Sequence, residues 1–163
     1  MKNQLYFKNP IIPLVALIFF HSGIHANAAI PAASREINPK SQQNRKLVKD
    51  FYDLAFNRHH SKEAADQFLQ EGYIQHNPHV ASGKQAFIKA FANESAHDKS
   101  RADFVRIIAE GDLVVLHSHK ISNSREKDRV GIDIFRIENG KIAEHWDVNQ
   151  DITTVTASGN TVY

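Results

Sequence analysis

The amino-acid sequence predicts an α+β fold in which helices come first and cover one face of a curved antiparallel sheet. Three observations predict it. Apolar residues recur at three- and four-residue intervals as far as about residue 97, the period changes to two from Ala102 onward, and the pairs Gly111-Asp112 and Asn139-Gly140 mark tight turns in the second half. The length of 163 residues suits one ordinary domain, and an apolar fraction of 42% with 23% charged residues fits a globular chain.

The first periodic element runs from Asn44 to about Asn57, where Leu47, Val48, Phe51, Tyr52, Ala55 and Phe56 form one apolar stripe. A second, shorter helix with Ala64, Ala65, Phe68 and Leu69 is expected to be capped by Ser61 and ended by Gly72. The chain then turns through Tyr73-Ile74-Gln75-His76-Asn77-Pro78, and a third helix with Ala86, Phe87, Ala90 and Phe91 on one side follows Gly83 and ends near His97. Strands are expected at 102–110, 113–121, 129–138 and 141–150 as an antiparallel meander. Asn139-Gly140 is the strongest hairpin signal, because both central residues of such a turn take positive φ.

The N-terminal residues do not belong to this pattern. Lys2 and Lys8, an apolar run from Ile11 to Phe20 and the small-x-small triplet Ala26-Asn27-Ala28 predict an export signal over 1–28, hence a periplasmic or secreted protein; an uncleaved anchor is the alternative, which the shortness of the run and Pro13 oppose. A flexible leader is expected over 29–43, the folded domain over 44–155 and a tail over 156–163. Cleavage after Ala28 leaves 18 basic against 18 acidic residues. The densest charge cluster, Ser124 to Arg129, is of mixed sign and reads as a solvated loop, so nucleic acid is not an expected partner. The absence of cysteine excludes disulfides, thiol nucleophiles and thiolate metal sites. No Gly-rich phosphate loop and no G-x-S-x-G elbow is present, which removes nucleotide-dependent and serine-hydrolase chemistry.

Three stretches carry a family resemblance: Val130-Gly131-Ile132-Asp133-Ile134-Phe135 running on through Ile142-Ala143-Glu144-His145-Trp146-Asp147-Val148, the segment Tyr73-Ile74-Gln75-His76-Asn77-Pro78, and the Glu110-Gly111-Asp112 turn. Together the sequence resembles the SnoaL-like (polyketide cyclase) group of the nuclear-transport-factor-like superfamily. The resemblance implies a cone-shaped, cystatin-like roll: bent strands closed by helices over a deep cavity, often in homodimers that pair their sheets. It also implies a site that works without metal or other cofactor on a small molecule, with an acid and a histidine moving a proton next to a carbonyl.

Asp133 is the most informative position, since it interrupts an apolar strand between Ile132, Ile134 and Phe135, and a carboxyl there must be hydrogen-bonded, paired or protonated. A protonated carboxyl can act as a general acid or donate to an enolate oxygen; the alternative is a structural partner for an Arg or His. With a two-residue turn at Asn139-Gly140, Asp133 pairs with Trp146, so Glu144, Trp146, Val148 and Gln150 share its face while His145 and Asp147 point away. A β-bulge in the last strand reverses this for every residue beyond it, and the sequence leaves that choice open. Trp146 is a pocket wall or plain core. Asp147 is a catalytic acid-base if a bulge turns it inward and a solvated residue otherwise. The resemblance places His76 at the cavity mouth as a proton carrier, with Tyr73 and Asn77 as hydrogen-bonding companions. His117 and His119, two apart on a strand, share a face with the spacing of metal sites, but the ordinary reading is a polar patch on the cavity wall or dimer face.

The expected catalytic residues are therefore Asp133, His76 and Asp147. Trp146, Tyr73, Asn77, Phe91, His117, Phe135 and Gln150 are expected to contact substrate. The leading expectation is a cofactor-independent enzyme of proton transfer next to a carbonyl, as in aldol condensation, cyclisation or isomerisation. The alternatives are a non-catalytic periplasmic protein that binds a small hydrophobic ligand, and an interaction module whose pocket is filled by Phe87, Phe91, Phe135 and Trp146.

Overall fold

The computed structural model describes residues 38–91, 100–123 and 127–163. The expected export signal, most of the leader, the expected helix end near His97 and residues 124–126 lie outside the described residues. No helix among the described residues is long and apolar enough to cross a membrane.

Helix α1 spans Pro39–Tyr52. It starts five residues before the expected Asn44, inside the expected leader, for a local reason: the Asn38 side chain accepts from the Lys40 N–H at 2.9 Å and Pro39 occupies the first turn, where its missing N–H costs nothing. A π-helical turn, Asp53–Asn57, continues it, and α2 follows over Ser61–Phe68. Ser61 is not the cap of α2; His60 precedes the helix, and the Ser61 hydroxyl instead donates to the Phe91 carbonyl at 3.0 Å, tying α2 to the third helix. Gly72 does not end a helix. The chain passes directly from α2 into strand β1, Leu69–Gln75, which the sequence pattern did not reveal, and then into α3, Lys84–Phe91.

The remaining strands match expectation closely: β2 Arg101–Glu110, β3 Leu113–Ile121, β4 Arg129–Glu138 and β5 Lys141–Asp151. The sheet order is β1-β5-β4-β3-β2, antiparallel except that β1 runs parallel to β5, so the sheet is mixed and not the pure antiparallel meander expected. Asn139 and Gly140 take φ of 52° and 71°, as a two-residue hairpin turn requires. Side chains of β4 alternate between buried and half-buried from Gly131 onward. The buried row faces α1, α2 and α3 across an apolar core built around Phe51, Leu69, Tyr73, Leu116, Phe135 and Ile142.

One irregularity decides which residues of β5 join that row. Glu138 pairs with Lys141 and Ile137 with Ile142, but Arg136 pairs with Glu144, so Ala143 is an extra residue in β5. Ile142 and Ala143 are both buried, as two consecutive residues at a bulge can be. Beyond the bulge the register puts Phe135 opposite His145, Ile134 opposite Trp146 and Asp133 opposite Asp147. The bulge that the sequence left open is present.

Candidate functional site

A cavity of about 570 Å³ opens between the inner sheet face and the helices. Its apolar wall comes from helical rings, Phe51, Phe56, Phe87 and Phe91, together with Phe135 of β4. These rings pack edge-on or tilted at centroid separations of 4.7 to 6.3 Å, an arrangement that lines the space without filling it. Its polar wall comes from β1, β3, β4 and β5.

Asp133 sits at the centre of the polar wall and is only 2% exposed. Its Oδ1 lies 3.2 Å from His145 Nε2 and 3.4 Å from Lys120 Nζ, and its Oδ2 accepts from the Tyr52 hydroxyl at 3.4 Å. The buried carboxyl is thus paired and hydrogen-bonded, as its cost of desolvation demands. Lys120 reaches it from β3 by crossing Gly131: a Cβ at that position would lie 2.6 Å from Lys120 Nζ and overlap its Cε. A glycine inside a strand here marks a close approach.

The tautomer of His145 follows from its other neighbour. The Asn77 backbone N–H donates to Gln75 Oε1 at 3.1 Å, which fixes the orientation of that amide, and Gln75 Nε2 donates to the Tyr73 hydroxyl at 3.0 Å. His145 Nδ1, 2.8 Å from the same Oε1, must therefore carry a hydrogen. His145 Nε2 and Asp133 Oδ1 are left to share a single proton.

Asp147 stands directly across the β4–β5 ladder from Asp133. Like charges so placed repel, and the structure separates them by their partners. Asp147 accepts from Asn77 Nδ2 at 2.8 and 2.9 Å and from Asn149 Nδ2 at 2.8 Å, while Asn149 Oδ1 accepts from Lys120 Nζ at 2.8 Å. The hydrogen bonds close into a circuit running Gln75, His145, Asp133, Lys120, Asn149, Asp147, Asn77 and back to Gln75. Two phenols flank it. Burial, reinforced by the Asp133 charge, holds the Tyr52 and Tyr73 hydroxyls well above the ordinary tyrosine range, so both stay protonated donors.

Of the residues expected at the site, Asp133, Asp147, Tyr73, Asn77, Phe91 and Phe135 line the cavity. Four do not, because the bulge and the strand period turn them to the outer face. His76 stacks on Trp146 there, ring centroids 4.8 Å apart and planes within 5°, and pairs with Glu144 at 2.8 Å; neither it nor Trp146 contributes to the cavity wall. His117 is held by Arg106 Nη1 at 2.9 Å, and Gln150, one residue out of phase with Asn149, is exposed. His119 contacts Asp128 at 3.3 Å and stacks on Tyr163. Sequence reasoning missed Lys120, Tyr52, Gln75 and Asn149, and with a regular turn placed His145 outside. Two signals were present: the consecutive apolar pair Ile142-Ala143, which breaks the two-residue period, and Gly131 among β-branched neighbours.

Helices on a curved mixed sheet, enclosing a cavity with an apolar wall and a few convergent polar groups, define an α+β small-molecule pocket protein. The model of the SnoaL-like domain matches residues 48–145, and the chain belongs to that family. Among solved structures, TsrD from Streptomyces laurentii is 25% identical, with 70% of this chain and 91% of that one covered at a TM-score of 0.53. A protein from Jannaschia sp. CCS1 assigned as a SnoaL-like polyketide cyclase is 16% identical (69% and 88% covered, TM-score 0.58). An epoxide hydrolase of M. tuberculosis is 15% identical (69% and 86% covered, TM-score 0.57). The last two likenesses establish the fold alone. No protein of curated function matches the chain.

Proposed function

We propose that this pocket catalyses proton transfer at a carbon next to a carbonyl, without a cofactor, as in aldol-type cyclisation or isomerisation. The observation that carries the reading is the pairing of Asp133 with Asp147 across one cavity wall, each with a different kind of partner. Both oxygens of Asp133 are occupied by charged or protonated groups and almost no surface is left for a ligand. Asp147 is only half-buried and bound by neutral amides. Asp147 is then the base: it takes the proton from carbon, the C–H electron pair moves into the carbonyl, and the oxygen becomes an enolate oxygen. Lys120, held by Asp133 and Asn149, donates to that oxygen, and the proton shared by Asp133 and His145 compensates the charge change behind it. The proton returns from Asp147 to carbon, or the enolate carbon adds to a second carbonyl of the substrate, whose C=O π bond breaks as the C–C bond forms and whose oxygen takes the proton from Asp147.

The test is deuterium incorporation from D2O into a panel of small ketones, followed by NMR. Incorporation that Asp147→Asn removes is the expected result; incorporation unchanged in that variant refutes the assignment. Binding of ketones with no incorporation into any of them supports instead a pocket that only holds its ligand. The convergence of two carboxyls, a lysine and a histidine favours the catalytic reading over that one.

Two further readings accompany it. The basic lead and apolar run support export to the periplasm or medium, checked by the mass of the secreted chain, which should begin after Ala28. Ile74, Ile108, Leu113 and Val148, all exposed and all on the outer face, support pairing of that face with a second copy. Light scattering of wild type against Val148→Glu would test it, the variant being the smaller species.

A further inference from the structure

We infer that Gln75 is a positioning residue of this pocket: its amide holds a hydrogen on Nδ1 of His145, so that the Asp133–His145 pair keeps one shared proton and carries no net charge. The placement of the hydrogen rests on hydrogen bonds alone; its use in turnover rests on the proton-transfer reading above.

The anchor is a backbone group that does not titrate. Strand β1 ends at Gln75, in register with His145 of β5, and the Gln75 N–H donates to the Ser82 hydroxyl at 3.1 Å. Two residues on, the Asn77 N–H donates to Gln75 Oε1 at 3.1 Å, while the Nε2 end of the same amide donates to the Tyr73 hydroxyl at 3.0 Å. Turning the amide over would set its Nε2 hydrogens against the Asn77 N–H, donor facing donor. The same device recurs two residues further along. The His79 N–H donates to Asn77 Oδ1 at 2.8 Å, so Asn77 Nδ2 is the end that meets both oxygens of Asp147. The segment 75–79 thus directs hydrogen toward Asp147, the acceptor, and takes hydrogen from His145 Nδ1.

The consequence is a count of protons. With its hydrogen on Nδ1, a neutral His145 has only a lone pair on Nε2, and that atom lies 3.2 Å from an oxygen of the buried Asp133. Two acceptors at that distance, out of water, require a proton between them. Wherever this proton sits, as imidazolium with carboxylate or as imidazole with carboxylic acid, the charges of the pair cancel. Were Nδ1 free of Gln75, a neutral ring could carry its hydrogen on Nε2 and donate to an ionised Asp133, and the pair would be negative.

The other titratable groups around the ring leave Nδ1 to Gln75. Tyr52 of α1 and Lys120 of β3 reach His145 through Asp133, Tyr73 of β1 reaches it through Gln75, and Asp147 lies two residues on along β5. Among the described residues Gln75 is the hydrogen-bond partner of Nδ1. The charge of the pair matters at Lys120, whose ammonium lies 3.4 Å from Asp133 Oδ1. A neutral pair leaves the ammonium charge to the enolate oxygen, whereas a negative pair takes part of it up.

The experiment is nitrogen NMR of the His145 ring against pH in the wild type, Gln75→Met and Gln75→Glu, with melting curves to report that the variants are folded. The wild-type ring should carry hydrogen on Nδ1 throughout the titration. Methionine keeps the length of the side chain but offers Nδ1 no acceptor, so the pair should lose its shared proton at lower pH than in the wild type, with the remaining hydrogen on Nε2. Glutamate puts a carboxylate against Nδ1 and should hold the proton to higher pH. Each displacement should be about one pH unit or more. A wild-type ring with Nδ1 bare, or a titration indifferent to both substitutions, overturns the inference; the first of these needs no variant.

Deuterium incorporation into the ketone panel is read on the same samples. The alkaline limb of its pH profile should follow the ring titration, downward in Gln75→Met and upward in Gln75→Glu. A residue that served structure alone would lower the rate at every pH and leave the limb in place, and that result removes Gln75 from turnover. Displaced ring titrations without incorporation in the wild type refute proton transfer and leave the placement of the hydrogen standing. Incorporation with an undisplaced ring titration does the reverse.

Discussion

His145 Nε2 meets Asp133 Oδ1 at 3.2 Å because Ala143 is one residue too many for a regular hairpin. Were the same residues paired without a bulge, the turn at Asn139-Gly140 would set Trp146 opposite Asp133 and send His145 and Asp147 to the outer face. The polar wall of the cavity therefore depends on a bulge that absorbs one residue, Ala143, which itself carries no functional group.

Deleting Ala143 tests this directly. The deletion takes out the bulge and its extra residue together, so Glu144 stays opposite Arg136 and Asp147 opposite Asp133; deuterium incorporation should persist and the Trp146 emission should stay that of its half-buried stack on His76. Loss of incorporation with a blue shift of the Trp146 emission would show instead that β5 had slipped and that the pairing beyond Ala143 is not what sets the inner face.

Gly131→Ala should disable Lys120 without touching its chemistry. The new methyl group occupies the path of the Lys120 side chain, and the ammonium has to leave Asp133. The closest obstacle is the far end of a flexible side chain and the buried Ser118 hydroxyl, 3.1 Å away, has to give by only a few tenths of an ångström, so the loss of stability should be about 1 kcal/mol, while incorporation falls by about tenfold or more, as in Lys120→Met. Chemical denaturation and the exchange assay on the same sample measure both quantities.

Asp147→Asn keeps the shape and most hydrogen bonds of the wild-type side chain but cannot take a proton. Its effect on incorporation should be a loss of about 10²- to 10⁴-fold with ligand binding retained. A loss of binding with unchanged turnover of bound ligand would reassign Asp147 to substrate recognition.

Proton titration should separate the inner and outer faces. Partial burial, and next to it the Arg106 charge, depresses the His117 pKa below the ordinary histidine value, and Arg106→Ala should raise it part of the way back, as read by NMR of the ring protons. The sign for stability follows: the folded form disfavours protonated His117, so its contribution is present above the ordinary value and declines as pH falls toward the depressed one. On the inner face, Tyr52 and Tyr73 should remain un-ionised in an ultraviolet titration after the ordinary tyrosine value has been passed.

Much of the architecture was legible in advance because its determinants are local. The period of two in β2 to β5, the Asn139-Gly140 turn and the apolar stripe of α1 are properties of neighbours in the chain. Strand β1 was not legible: only Leu69 and Tyr73 of its seven residues are buried apolar side chains, its pairing with β5 slips between Leu69 and Ile74, and Gly72 imitates a helix stop. His76 looked suitable for proton transfer by residue type and family motif, yet β1 extends to Gln75, and the ring beyond it falls on the outer face against Trp146.

The sequence by itself determined the α+β class, the family and the buried carboxyl at Asp133, since an acid in an apolar strand has to be accommodated wherever that strand goes. Only the tertiary structure decided that carboxyl's company. Lys120, Tyr52, Gln75, His145 and Asp147 come from four other elements, and which of them face Asp133 is a matter of strand register, where a shift of one residue exchanges the two faces of a sheet.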